Sequence, residues 1–262
     1  MKQLLLFAAA FTVAGLSVVS LHAAEPAAPP ATSANELAAR MDIAGQGSAS
    51  IRTQLEVRNK DGGKRVLQLQ IKQRRTKTAT DLVYLVLWPN DQKGKAVILH
   101  QETGSAPSGS IIEPPSTVRA IKASQMSEGL FDSDLAYQDA VENFFAWKKQ
   151  ALVGSEVINR VNCQILESKP DSATDSIYGK VRSWIDPARS VPLRIEKYSA
   201  SGEPVRRIDT DKVARDEKHN PIPARLVVHG PRKSTVTELN GARIDQDVKL
   251  TDADFTPANV LH

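Results

Sequence analysis

The chain lacks most of what residue-borne chemistry would need. It has one cysteine, Cys163, in 262 residues, which excludes a disulfide framework and a cysteine-rich zinc site. There is no Gly-x-Ser-x-Gly elbow and no Ser-x-x-Lys pair. The glycine pair in Asp61-Gly62-Gly63-Lys64 lies between two alternating runs, where it serves a turn and not a phosphate. Beyond the leader the histidines are His100, His219, His229 and His262, too far apart for His-x-x-x-His or Glu-x-x-His zinc spacing. After the amino-terminal stretch no apolar run reaches membrane-spanning length, so a transmembrane helix in the mature chain is excluded. An excess of one charge is missing too. The formal net charge is +4, Lys2 included, which argues for a mixed solvated surface and against a nucleic-acid partner.

What is present describes an exported, β-rich globular protein. Hydrophobic residues make up 41% of the chain, enough for a large core. Met1-Lys2-Gln3, the apolar run Leu4 to Val19 and then Ser20-Leu21-His22-Ala23-Ala24 read as a secretory signal peptide, residues 1–24. The mature protein is thus expected to be soluble in an oxidising compartment outside the cytoplasm; a retained anchor is the competing reading. Residues 25–34, rich in proline and alanine, are expected to be a flexible linker, and residues 35–262 one domain. Asn35 is expected to cap a short helix through Met41.

From there the period is two. Ile51, Thr53, Leu55 and Val57 alternate with polar residues, as do Leu67, Leu69 and Ile71 after the Gly-containing turn, which predicts a β-hairpin. Further strands are expected at Leu82–Leu87, Lys95–His100, Ser110–Glu113, Val118–Lys122, Val161–Leu166, Gly179–Ile185, Leu193–Tyr198, Val205–Asp211 and Ala224–His229. Thr235–Leu239 and Arg243–Lys249 follow, with Asn240-Gly241 as a tight turn between them. Helices of ten or more residues do not alternate with these strands, so a parallel doubly wound sheet is excluded in favour of one curved antiparallel sheet.

One segment breaks the pattern. Phe131, Tyr137, Phe144, Phe145 and Trp147 crowd into seventeen residues. Tyr137, Val141, Phe144 and Phe145 would share one helical face behind a Ser133 cap. A short helix Ser133–Ala140 followed by a strand Phe144–Val153 fits equally. Two roles stay open: a core-covering element, or a lid whose aromatics line a cavity for an apolar ligand at the mouth of a curved sheet. Asp132, Asp134 and Asp139 read as helix-start and surface charges, Cys163 as a small buried hydrophobe, and His100 and His229 as exposed or singly hydrogen-bonded.

Several stretches, in order, resemble the outer-membrane lipoprotein-sorting protein family, the LolA-like periplasmic carriers. They are Leu85-Val86-Leu87-Trp88-Pro89-Asn90-Asp91-Gln92-Lys93-Gly94-Lys95-Ala96, Gly129-Leu130-Phe131-Asp132-Ser133-Asp134-Leu135-Ala136-Tyr137-Gln138-Asp139 and Cys163-Gln164-Ile165-Leu166-Glu167. Trp184-Ile185-Asp186-Pro187 with Pro192-Leu193-Arg194-Ile195-Glu196, and Phe255-Thr256-Pro257, complete the set. The chain departs from the family at Asn159-Arg160, where relatives carry an Asp-Gly-type turn, and at Ile111-Ile112-Glu113-Pro114-Pro115.

The resemblance implies an α+β, mostly β fold: an unclosed antiparallel β-barrel with a short helical lid over an apolar cavity. It implies a non-catalytic carrier of a lipid or acylated protein, with no cofactor and no metal, working between an inner-membrane transporter and an outer-membrane acceptor. A sensor binding envelope lipids or a membrane protein partner is the alternative. Candidate cavity and lid residues are Leu130, Phe131, Leu135, Tyr137, Phe144, Phe145 and Trp147, with Leu69, Leu85, Leu87 and Ile195 on the sheet.

Overall fold

Alternation of apolar and polar side chains gives each strand one face to bury, and an antiparallel meander lets consecutive strands bury it together. In the computed structural model, which describes residues 33–172, 176–231 and 234–260, this produces thirteen antiparallel strands in one sheet. They are β1 (Gly47–Asn59), β2 (Lys64–Arg75), β3 (Ala79–Trp88), β4 (Ala96–Glu102), β5 (Ser108–Glu113) and β6 (Thr117–Ala120). After the lid segment come β7 (Lys149–Ile158), β8 (Val161–Lys169), β9 (Lys180–Asp186), β10 (Val191–Tyr198), β11 (Pro204–Arg215), β12 (Pro221–His229) and β13 (Thr235–Gln246).

The spatial order is β6-β5-β4-β3-β2-β1-β13-β12-β11-β10-β9-β8-β7. Two meanders are therefore joined by the pairing of the first strand with the last, and the barrel stays open between the edge strands β6 and β7. The β1–β2 hairpin forms as its alternation predicts, with Arg58 opposite Lys64 and Gly62 at φ 90° in the turn. Leu55, Leu67, Leu69, Leu82, Val97 and Leu99 turn inward and are almost wholly buried.

Several expectations are corrected. Asn240-Gly241 does not end a strand: β13 runs through it, Gly241 takes φ 68°, and the register against β1 slips between Arg52 and Gln54. The turn signal is spent on a β-bulge, where one extra residue needs a left-handed backbone. Conversely, Asn159 and Arg160, with φ 49° and 67°, form the two-residue β7–β8 turn, whose twist matches the strands when both central residues have positive φ.

The first helix, α1 (Ala34–Gly45), is capped by Ser33 and not by Asn35: Glu36 N donates to Ser33 Oγ at 3.1 Å. An oxygen one residue before the first turn is what the free N–H groups can reach. Of the residues expected in the linker, Ala34 thus opens α1 and Ser33 caps it, while the leader and the rest of the linker lie outside the described residues. Leu37, Ala38 and Met41 of α1 pack on Leu166 of β8 and Ile185 of β9. At the carboxyl end the 3-10 turn Asp252–Phe255 and α3 (Pro257–Val260) cover the other face of the amino-terminal arm, where Phe255 and Val260 meet Val83, Ala96, Ile98 and Ile112. Among the described residues no helix is long and apolar enough to cross a membrane.

Candidate functional site: an apolar cavity under a tethered lid

The segment between β6 and β7 lies over the concave face. It comprises 3-10 turns at Ala123–Gln125 and Leu130–Asp132, the helix α2 (Tyr137–Val141) and a third 3-10 turn, Phe144–Ala146. The single long helix does not form, because the backbone is extended at Ala136 and leaves the helical region again at Glu142. The arrangement is nearer the short helix followed by a strand, although that strand begins at Lys149. Ser133 does not cap α2. Its hydroxyl accepts from Leu135 N at 3.2 Å, and the Asp139 carboxylate takes the N-terminal N–H, accepting from Ala136 N at 2.8 Å.

The lid has two chemically distinct sides. Towards the amino-terminal arm it is hydrocarbon: Leu130, Leu135, Tyr137 and Val141 join one buried cluster with Leu55, Leu69, Leu82, Tyr84 and Val97. Burial raises the Tyr137 hydroxyl above its ordinary pKa and pushes Tyr84 up to about 12, so both stay neutral in this dry layer. The Arg65 guanidinium donates to the Phe131 carbonyl and ties the lid's Leu130–Asp132 turn to β2.

Towards the carboxyl-terminal arm the lid is ionic. Lys197 Nζ of β10 lies 2.9 Å from Asp139 Oδ1 and 3.4 Å from Glu142 Oε2, and Arg206 Nε of β11 is 2.7 Å from Asp139 Oδ2. Tyr178 Oη donates to Asp139 Oδ1 at 2.7 Å, and Gln138 Nε2 to Glu142 Oε1 at 2.6 Å. Thr235 and Thr237 of β13 donate to the Asp134 carboxylate at 2.8 and 2.9 Å, while Asp134 N donates to Thr237 Oγ1 at 2.8 Å. Asp139 and Glu142 carboxyl groups are fully buried. Burial alone would raise the Asp139 carboxyl, but Lys197 and Arg206 outweigh it and hold it below the usual carboxylate value. For Glu142 burial wins over Lys197, and its pKa is raised. The reading of Asp134 and Asp139 as surface charges is thereby corrected: they are the lid's buried anchors.

Between the lid and the concave wall lies a cavity of about 320 Å³. Its lid side is Leu135, Asp139 and Ala140; its wall comes from both arms, Ile51, Ile71 and Tyr84 on one and Ile195, Ile208 and Leu226 on the other. Thr53, Gln73 and Thr210 are the polar exceptions on the sheet. A wider cleft of about 650 Å³ lies outside the lid, but its walls are chiefly connecting segments such as Ala106-Pro107, Pro170-Asp171 and Ser176–Gly179.

Of the candidate residues, the structure sets Leu135 and Ile195 on the cavity. Leu69, Leu130 and Tyr137 lie in the packed layer beside it, with Phe131 partly buried against that layer. Phe144 and Trp147 pack on Val181 of β9, with Phe145 beside them, and the Phe144 and Phe145 rings stack at 4.4 Å; none of the three lines the cavity. Leu85 points to the opposite face, into the cluster around Phe255, and Leu87 lies where the register against β2 slips between Val86 and Trp88 and does not line the cavity. A strand with apolar side chains on both faces gives no sign of which is concave. Sequence reasoning missed Ile208, Leu226 and Ile244, which alternation marks only as ordinary strand residues.

His100 Nδ1 lies 2.7 Å from Asp81 Oδ1, a single ordinary contact. Cys163 is fully buried against Trp184 and Leu193, and burial raises its thiol pKa, the opposite of an activated nucleophile.

Comparison with known proteins points the same way as this geometry. No curated protein matches the sequence. A domain from Vibrio parahaemolyticus named for outer-membrane lipoprotein sorting superposes with a TM-score of 0.78 at 19% identity, over 87% of this chain and 98% of that one. A DUF1329 family protein from Desulfovibrio piger gives 0.77 at 18%, over 87% and 97%. A LolA superfamily protein from Nitrosomonas europaea gives 0.69 at 18%, over 86% and 98%. The open sheet with its helical lid is therefore the LolA-like fold of the outer-membrane lipoprotein-sorting proteins. Residues 78–261, well over half of the chain, match a family model described as "Uncharacterized protein", and the chain belongs to that family.

Proposed function

We propose that this protein is a non-catalytic periplasmic carrier that takes a lipid, or the acyl part of a lipidated protein, into the cavity beneath the lid. It would receive the cargo from an inner-membrane transporter and release it to an outer-membrane acceptor. The observation that carries this reading is the apolar cavity lying beneath a lid with two sets of contacts, one hydrocarbon and one ionic. Each methylene moved from water into such a space contributes about 0.8 kcal/mol, so even a partly inserted chain is held. Release then requires the lid to part from one arm, which the ionic side permits as a discrete step.

The likeness to a lipoprotein-sorting domain supports this assignment, and so does the leader expected at residues 1–24. Native mass spectrometry of the protein purified from its own periplasm, with lipid extraction alongside, tests it. A released species of lipid mass and uptake of a fluorescent acyl probe, reduced in Leu226→Gln, are the expected results. A bare chain that also fails to take up the probe would overturn the reading.

A further inference from the structure

The cavity's size and outlet say more about the cargo than the fold does, and the inference they carry rests on the carrier reading. A closed apolar cavity of about 150 Å³ accommodates one benzene, six carbons. By the same measure the cavity's about 320 Å³ seats about twelve carbons, one medium hydrocarbon tail, and a longer tail would have to leave it on its open side.

That cavity has a polar neighbour. Ile51, Gln73 and Ile244 line it and also line a groove of about 540 Å³ beside the carboxyl end of α1. Three shared wall residues make the two spaces adjoin. The groove is more polar than the cavity, with Ser48 and Asn220 among its walls. Lys218 pairs with Asp247 and Arg189 with Asp186, while the Asp216 carboxylate accepts from Asn220 and Gln246. Arg189 and Lys218 equal Asp216 and Asp247 in number among its walls, so the groove carries no formal net charge and suits a head with none.

We infer that the cargo is a single-tailed amphiphile of about twelve tail carbons, its tail in the cavity under the lid and its uncharged or zwitterionic head in the groove beside α1.

Alkyl maltosides from about eight to about sixteen carbons, each below its micelle concentration, displace the fluorescent acyl probe in the test. Affinity is expected to rise about fourfold per added methylene up to about twelve carbons and then stay flat. Ala224→Leu, which narrows the cavity, moves the break to shorter chains. Ser48→Cys offers a second reading, because Cys163 is buried: bound dodecyl maltoside should slow maleimide labelling of the groove several-fold.

An unbroken rise to the longest chain, or a two-tailed lipid with the same head binding as tightly, overturns the single-tail inference and leaves the carrier reading standing. Unchanged labelling of Ser48→Cys overturns the placement of the head. Failure of the probe and of every chain length to bind overturns the carrier reading itself.

Discussion

The two sides of the lid are held by opposite physics. On the β1–β5 side, Leu130, Leu135, Tyr137 and Val141 meet Leu69, Tyr84 and Val97 through hydrocarbon, with the Arg65 donation to the Phe131 carbonyl as a polar tie. On the carboxyl-terminal side Phe144 still packs on Val181, but the distinctive contacts are Asp139 to Lys197 and Arg206, Glu142 to Lys197, and Asp134 to Thr235 and Thr237. Hydrocarbon contact is non-directional and survives small displacements. Buried ions lose their partners within an ångström or two and then carry an uncompensated desolvation cost. The apolar side therefore supplies much of the free energy of closure, while the ionic side defines one closed position and releases it all at once.

The sharpest way to break that contrast is Asp139→Asn. The carboxylate is fully buried between Lys197 and Arg206 and also accepts from Tyr178 and Ala136. Its loss leaves two buried cations short of a partner, and removing one member of a buried pair costs about 3–5 kcal/mol. Urea unfolding should show a loss of that size. A loss below about 1 kcal/mol, the range of an exposed pair, would mean that the ionic side does not define the closed state.

Leu130→Ala probes the other side. Leu130 is fully buried in the hydrocarbon layer, and a Leu→Ala truncation in a packed core costs about 2–5 kcal/mol. Unlike Asp139→Asn, it should leave the pH dependence of unfolding unchanged, because no titrating group is altered. A changed pH profile would show that the two sides are coupled.

This division was only half legible in the sequence. Alternation in β1 and β2 is a local property, so Leu55, Leu67 and Leu69 announced both strand and buried face. The cavity wall is not local: Ile208, Leu226 and Ile244 meet Ile51 and Ile71 only because β13 returns to pair with β1. Leu85 looked as apolar as Tyr84, yet faces Phe255, because β3 is covered on both faces. Asp139 looked like a helix-start charge and does cap α2. Its burial depends on Lys197 and Arg206, far along the chain on β10 and β11, and nothing in its own neighbourhood marks that. Alternation carried the curved sheet and the aromatic segment suggested a lid, the family resemblance added the unclosed barrel, and of the residues that touch the cavity only Leu135 and Ile195 were among the candidates.

A smaller effect is expected at Thr237→Val, which keeps shape and removes a hydroxyl that donates to Asp134 Oδ2 and accepts from Asp134 N. Hydrogen bonds to charged groups contribute about 1.5–3 kcal/mol each, but Thr235 still serves the same carboxylate, so a loss of about 1.5 kcal/mol is expected. In a double-mutant cycle with Asp134→Asn the two losses should fall well short of additive; full additivity would show that the threonine and the carboxylate do not act together.

The smallest and most diagnostic test uses Glu142→Gln. Around Glu142 stand Lys197, Gln138, Asp139 and, through Asp139, Tyr178. Glu142 has a raised pKa from burial, so the native state holds its proton more tightly than the unfolded chain. Stability linked to it is present below the unfolded value of 4.5 and falls as pH climbs from there through the folded value. Asp139 works in the opposite sense: its lowered pKa contributes stability above the unfolded value of 3.8, lost as pH falls through the folded one. Gln keeps an acceptor for Gln138 and cannot ionise. Wild type should therefore lose stability relative to Glu142→Gln as pH rises above 4.5, while both share the acid loss that belongs to Asp139. If the two stability curves run parallel across that range, Glu142 ionises without cost, and its side of the lid is wetter than the structure makes it.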